Sequence, residues 1–426
     1  AQELPVYLRA ETKQANTNKI EEPSTHHKLN HFQKYGDVEK RTYDVLNYDY
    51  YIDLSGALNA SLESSKIERK GFSGSNNITL VMLEDTNVFE FDANNMTINS
   101  VIFTKESVPV MPTNTDYTIE NGILKLYYPT DLHKGDTLSI NISFTGLADD
   151  NADYINNRGL HIYNKGYFIG DINSKKDSVF VDHNIAYSMS EPDLASFWMP
   201  CNDRPYDKAT SSISVKVPLG YNVASNGYLD RIDTLKNEKV EYFWKNDTPI
   251  ATYLMCFAAS IFDEYHQTAI VDGDTIPIVH YAWPEDINGD YFKLIPSMKT
   301  HPQMLDVLIN HYGPYPFNKY GTVTVYPFPY GGMEHQTMVT QLRFWIRDNG
   351  DGGFVHEMGH HWFGDMMTCA TWADVWINEG GATFTEAMYF GSLDSSLYSK
   401  VMQAKINYYL KLNESNNGNS MYAVPM

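Results

Sequence analysis

The sequence predicts an α+β architecture in at least two units, an all-β N-terminal part followed by an α+β part that ends on helices. Three observations predict it. Short alternating apolar stretches separated by Gly, Asn, Asp and Pro turns run from Tyr43 to about Ile261. The periodicity changes near Phe262, where strands begin to alternate with helical stretches. After Gly350 the pattern is mainly helical.

In order, residues 1–40 are a polar extension whose His26 and His27 read as solvated rather than as ligands. Residues 41–262 form the β-rich unit: the stretch 44–54 opens it, and 79–83, 97–103, 138–144, 212–217 and 240–244 continue it as a sandwich or saddle. Residues 263–426 form the second unit, with strands at 275–281 and 320–325 and a helix over 299–312 carrying Met304, Leu305, Leu308 and Ile309 on one face. Further helices are expected over 352–367, 375–390 and 396–412, with Asp351 as the N-cap of the first. No tandem repeat or low-complexity block interrupts this order.

Composition sets outer limits. A chain of 426 residues exceeds one ordinary core, and 42 % hydrophobic and 14 % aromatic content supplies apolar surface to bury. The net charge of −21 argues against nucleic acid as a partner, because polyanion binding needs a basic face to displace counterions. Three widely spaced cysteines, Cys201, Cys256 and Cys369, make no disulfide framework and no thiolate pair for a closed metal site. No apolar run approaches the ~18 residues that span a bilayer. A start at Ala1-Gln2 fits a removed signal peptide, hence a secreted, periplasmic or envelope location, and fits a trimmed sequence equally; a cytoplasmic protein is also compatible.

The chemistry lies in His356-Glu357-Met358-Gly359-His360. On a helix, positions i and i+4 stack on one face, so the two imidazoles can share one metal ion. Glu357 sits one step around, within reach of a water at that metal. Five residues alone are also compatible with an ordinary helix. The segment Trp376-Ile377-Asn378-Glu379-Gly380 places a carboxylate where a returning helix could supply a third ligand. Two His and one Glu leave a fourth tetrahedral position open, the arrangement of a catalytic rather than a structural zinc.

The H-E-x-x-H motif, eighteen intervening residues and the Glu of Asn-Glu-Gly resemble the gluzincin peptidases of the aminopeptidase N family. Trp362-Phe363-Gly364-Asp365 is similar to the family's W-F-G-N, with Asp for Asn. Pro200-Cys201-Asn202-Asp203-Arg204-Pro205 with Lys208-Ala209 is similar to its P-C-F-D-E-P…K-A. Tyr253-Leu254-Met255-Cys256-Phe257-Ala258 is similar to the segment that closes its β domain. The resemblance implies a thermolysin-like catalytic domain after the β unit and one Zn2+ per chain on His356, His360 and Glu379, with Glu357 as general base. Gly331-Gly332-Met333-Glu334-His335 resembles the family's G-x-M-E-N, with His335 in the Asn position. Paired glycines let a substrate backbone approach closely, and Glu334 beside them can hold a free N-terminal ammonium. Glu191 falls where the family places a second amine-binding group, although Met189 and Ser196 replace the Gln and Arg expected nearby.

The resemblance thus implies an aminopeptidase acting on peptides. An endopeptidase of the same zinc class and a non-catalytic relative remain as alternatives. The Tyr that the family uses to stabilise the oxyanion is expected past Met426, and Tyr408, Tyr409 and Tyr422 come too early to match, so the catalytic domain is expected to be incomplete in its helical half. Side-chain preference and oligomeric state are not legible.

Overall fold

The computed structural model describes residues 40–105, 108–110, 117–148, 159–164, 168–169, 179–180, 183–271, 273–348 and 350–415. His26, His27 and Tyr422 lie outside them.

The N-terminal part is built on an eight-stranded sheet. Strand Gly71–Met82 alternates buried and partly exposed residues along its whole length, the period-two signature of a sheet with one face on a core. Its Ile78 stands between Tyr48 and Ile140 on the neighbouring strands, and all three are fully buried. Each side chain of this size contributes roughly 1.5–3 kcal/mol when removed from water. Strand Tyr43–Asp53 pairs parallel with Ala209–Pro218, joining the start of this part to a segment far along the chain. A three-stranded sheet packs beside it, and in a four-stranded sheet the strands Leu160–Tyr163, Ile185–Ser188 and Phe257–Ser260 are buried at every residue.

The second part has a five-stranded sheet in the order Asp263–Val271, Asp274–Ala282, Tyr320–Val325, Val339–Leu342, Gly332–Met333. The three inner strands run parallel, and the short Gly332–Met333 strand pairs antiparallel on the edge. Strand Tyr320–Val325 is buried throughout, as expected of a central parallel strand. Its Val323 and Val325 join the core shared with the β part, whereas Tyr320 joins a second core with Leu305, Leu308, Val355, Met358 and Trp362. The sheet therefore lies between the β part and the helices. Those helices are His301–Tyr312, Asp351–His360, Trp376–Leu393 and Ser395–Ser415. Among the described residues no helix is long and apolar enough to cross a membrane.

Two local expectations are corrected. Asp351 is the first residue of its helix and not the cap; Gly350 holds the cap position with no side-chain hydrogen bond, and an Asp351 carboxylate oxygen accepts from the Thr300 hydroxyl at 3.3 Å. The same helix stops at His360 and not at residue 367. The amides of Asp365, Met366 and Met367 bond five residues back, to the carbonyls of His360, His361 and Trp362, and Gly364 takes φ +135°. That backbone conformation suits glycine and ends the helix despite the apolar run.

His301 is fully buried against Phe354 and His280, each ring 5.0 Å away. Burial pushes its imidazole down to about 3. An unfolded chain protonates this group near 6.5, so its neutral form is free of cost above that pH, and stability is lost as pH falls towards 3. His301→Phe is therefore expected to gain on the wild type by about 1.4 kcal/mol for each pH unit below 6.5. Urea denaturation of both proteins at pH 7.5 and pH 5 measures it, and an equal difference at the two pH values would contradict it.

Candidate active site

His356 and His360 lie one turn apart on the helix Asp351–His360, with their Nε2 atoms 3.1 Å from each other. Each ring is held from behind. The Glu386 carboxylate accepts from His356 Nδ1 at 2.9 Å, and the Phe363 carbonyl accepts from His360 Nδ1 at 3.0 Å. A carbonyl or carboxylate can only accept, so both Nδ1 atoms carry a proton. Burial pulls the His356 imidazole down, but Glu379 and Glu386 outweigh it and push it well up, so both Nε2 lone pairs face inward only when the rings are neutral. Two such lone pairs at this distance repel unless a cation stands between them. Glu379, in the first turn of the helix Trp376–Leu393, brings one carboxylate oxygen to 3.5 Å from His356 Nε2 and the other to 3.7 Å from His360 Nε2. Burial works against its ionisation, but His360 and His356 outweigh it and hold the carboxyl down to about 2. The donor set of two imidazoles and one carboxylate without thiolate fits Zn2+ with an open position. Glu386 was missed by sequence reasoning. It stands seven residues beyond Glu379, two turns along the same helix face, and that spacing was a usable signal.

Glu357 is buried, and its carboxylate packs against Gly332, where an added Cβ would come within 2.1 Å of Oε1. The edge glycine is thus required by the glutamate. Burial pushes Glu357 well above the usual carboxylate range; His356 opposes this, while Glu334 and Glu379 add to it.

Gly331, at φ +87°, accepts from the Leu342 amide at 2.7 Å, and Gly332 and Met333 pair with Gln341 and Thr340. This places Glu334 immediately past the edge strand, 3 % exposed, with Oε1 lacking a hydrogen-bond partner among the described residues. Glu191 reaches the same place from the β part. Its turn is pinned by Trp198 Nε1 donating to the Ser190 hydroxyl at 2.9 Å. Carboxylate oxygens of Glu191, Glu334 and Glu379 lie within 4.8 Å of one another, as do ligand atoms of Glu334, Glu357 and His360. Burial pushes the Glu191 carboxyl far up, and the charges of Glu334, Glu379 and Glu357 push it further. Burial also raises Glu334, with His360 opposing.

The segment after Glu334 is clamped between the two parts. Asn226 Nδ2 donates to the Gln336 carbonyl at 2.6 Å, the Gly227 amide to the Thr337 hydroxyl at 2.7 Å, and Lys319 Nζ to the Ser225 and Thr337 carbonyls at 3.1 Å. His335 is buried and bonded to the Thr340 hydroxyl at 2.9 Å, and burial holds it down to about 3, so in the Asn position it is a neutral structural ring. Ser196 bonds Asn94 and Asp203, away from Glu191. Lys208 donates to the carbonyls of Asp365 and Met366 at 2.6 and 3.1 Å, tying the β part to the turn after the histidine helix.

Two family models match the chain: the Peptidase M1 N-terminal domain over residues 46–254 and the Peptidase family M1 domain over residues 297–423. Among curated relatives, the aminopeptidase A of Gloydius brevicauda is 28 % identical over 240 residues, 53 % of this chain and 24 % of that protein. The puromycin-sensitive aminopeptidase of Caenorhabditis elegans is 24 % identical over 337 residues, 75 % of this chain and 33 % of that one. The chain thus spans a quarter to a third of the length of these relatives. Among solved structures, an M1 zinc metallopeptidase from Deinococcus radiodurans superposes with TM-score 0.65 at 21 % identity, over 84 % of this chain and 72 % of that one. The same fold and the two successive models lead to one assignment: the chain belongs to peptidase family M1, among the gluzincins related to aminopeptidase N.

Proposed function

We propose that this chain carries the zinc site, general base and amine anchor of an aminopeptidase that removes one residue at a time from peptide N-termini. The observation that carries this reading is the meeting of Glu334 and Glu191, from two parts of the fold, beside the His356, His360 and Glu379 group. Zn2+ held by those three residues would lower the pKa of a water from about 15.7 towards ~7 and polarise the scissile carbonyl. The rest is done by side chains. Glu334 and Glu191 hold the substrate ammonium, whose positive charge compensates carboxylates that are otherwise buried next to each other. Anchoring the ammonium beside the metal ligands would direct cleavage to the first peptide bond. Glu357, raised above the usual carboxylate range, takes a proton from the attacking water and returns it to the leaving amine. Gly332 lets the substrate backbone lie against the edge strand without displacing that carboxylate. In this reading the chain divides near residue 262 into the β unit and the catalytic unit.

Glu334→Gln is expected to lower kcat/KM on free aminoacyl arylamides by on the order of a hundredfold while zinc content stays unchanged. N-acetylated substrates should be inert in both proteins. Equal turnover of acetylated substrates, untouched by Glu334→Gln, would favour an endopeptidase.

Glu386→Gln leaves a neutral acceptor behind His356 and should weaken zinc about 10–100-fold, as read by competition with a chelating dye. An unchanged dissociation constant would remove Glu386 from the site. Gly332→Ala pushes a methyl into the Glu357 carboxylate, so kcat should fall at least about tenfold with zinc retained. Wild-type kcat in that variant would show that the close approach has no part in the chemistry.

A further inference from the structure

Trp345 has no part in the chemistry above, yet its indole occupies the space between the edge strand and the histidine helix. Four glycines enclose it. An added Cβ would stand 3.3 Å from the ring at Gly331, 2.6 Å at Gly332 and 2.6 Å at Gly353, and 2.9 Å from Trp345 Cβ at Gly350. Gly331 and Gly332 belong to the amine-anchor segment, whereas Gly350 and Gly353 flank the first turn of the helix that carries His356 and Glu357. Phe354 packs edge-on against the indole at 5.6 Å. The Cη2 edge of Trp345 and the Glu357 carboxylate meet at the same glycine, Gly332, yet the indole stays only partly buried.

The order along the strand gives a direction. Glu334, at one end, holds the ammonium in the aminopeptidase reading, on which this inference rests. A substrate paired antiparallel to Gly332–Met333 then runs from Glu334 past Glu357 towards Gly332 and Gly331. Its second residue, on the leaving side of the scissile bond, arrives where Trp345 sits. A partly exposed indole there offers an apolar face to one side chain. Apart from the Glu357 carboxylate at Gly332, no charged group lies among the contacts of these glycines.

We propose that Trp345 is the specificity-determining wall for the residue on the leaving side of the scissile bond, selecting apolar and above all aromatic side chains. The probes are two non-cleavable reduced-bond dipeptide analogues, Ala-Phe and Ala-Gly, titrated calorimetrically into the zinc-loaded full chain. The wild type is expected to bind the Phe analogue about tenfold more tightly, the ratio that one aromatic pair supports. Trp345→Ala should bring the two affinities together by weakening the Phe analogue alone, and Trp345→Phe should keep most of the preference. Should Trp345→Ala not fold by circular dichroism, Trp345→Leu serves in its place, with the aromatic preference reduced. Equal affinities in the wild type, no binding of either analogue, an unchanged ratio in the Ala or Leu variant, or an equal loss for both analogues would each overturn the proposal. An N-acetylated Phe analogue separates the two readings. If acetylation costs nothing the amine anchor fails, while the Phe-to-Gly ratio still decides Trp345.

Discussion

The rest of the site depends on one electrostatic constraint: two imidazole lone pairs 3.1 Å apart, faced by a carboxylate and surrounded by more buried carboxylates than the nearby cations can balance. Glu386 and the Phe363 carbonyl fix both rings with a proton on the far side, so two neutral histidines cannot relieve each other by hydrogen bonding. Burial works against the ionisation of Glu379, but the positive charge of the two histidines in their protonated form outweighs it, whereas Glu191, Glu334 and Glu357 are all pushed up by burial and by neighbouring negative charge. A fold that pays this electrostatic cost is organised around cationic occupants. In the proposed reading a divalent ion would answer the lone pairs, and a substrate ammonium would answer the carboxylates beside them.

Holding such a cluster together requires rigid support from both parts of the molecule. The Asn226–Gly227 turn and Lys319 grip the segment after Glu334, and Lys208 grips the turn after the histidine helix. Tyr187 donates its hydroxyl to the Pro327 carbonyl, fixing the approach to the edge strand. The β part is therefore more than a neighbour of the catalytic part, since it supplies Glu191 and, through Asn226 and Gly227, part of the clamp on the segment after Glu334.

Much of this was legible in the chain because it is local. The i, i+4 pair of histidines and the alternation of strands such as Gly71–Met82 follow from helix and sheet periods. Glu334 and Glu191 needed the family resemblance, since the paired glycines before Glu334 equally fit an ordinary turn and nothing around Glu191 marks it. The helix end at His360 was misjudged because the break comes from backbone wrapping at Gly364, which Trp362 and Phe363 disguise as a continuing apolar face. Asp351 looked like a cap because of its residue type, but Gly350 occupies that geometry. Trp345 was invisible: its surroundings are four glycines on two separate elements, and only the tertiary approach of strand to helix brings them around one ring. The parallel pairing of Tyr43–Asp53 with Ala209–Pro218 is likewise a long-range choice that periodicity does not encode.

The central claim is that His356, His360 and Glu379 together hold a divalent ion with one side left open. X-ray absorption at the zinc edge on the loaded chain tests it most directly. The account predicts a first shell of nitrogen and oxygen only, at about 2.0–2.1 Å, with the outer-shell signature of two imidazoles. A sulfur shell near ~2.3 Å, or fewer than two imidazoles, would contradict it.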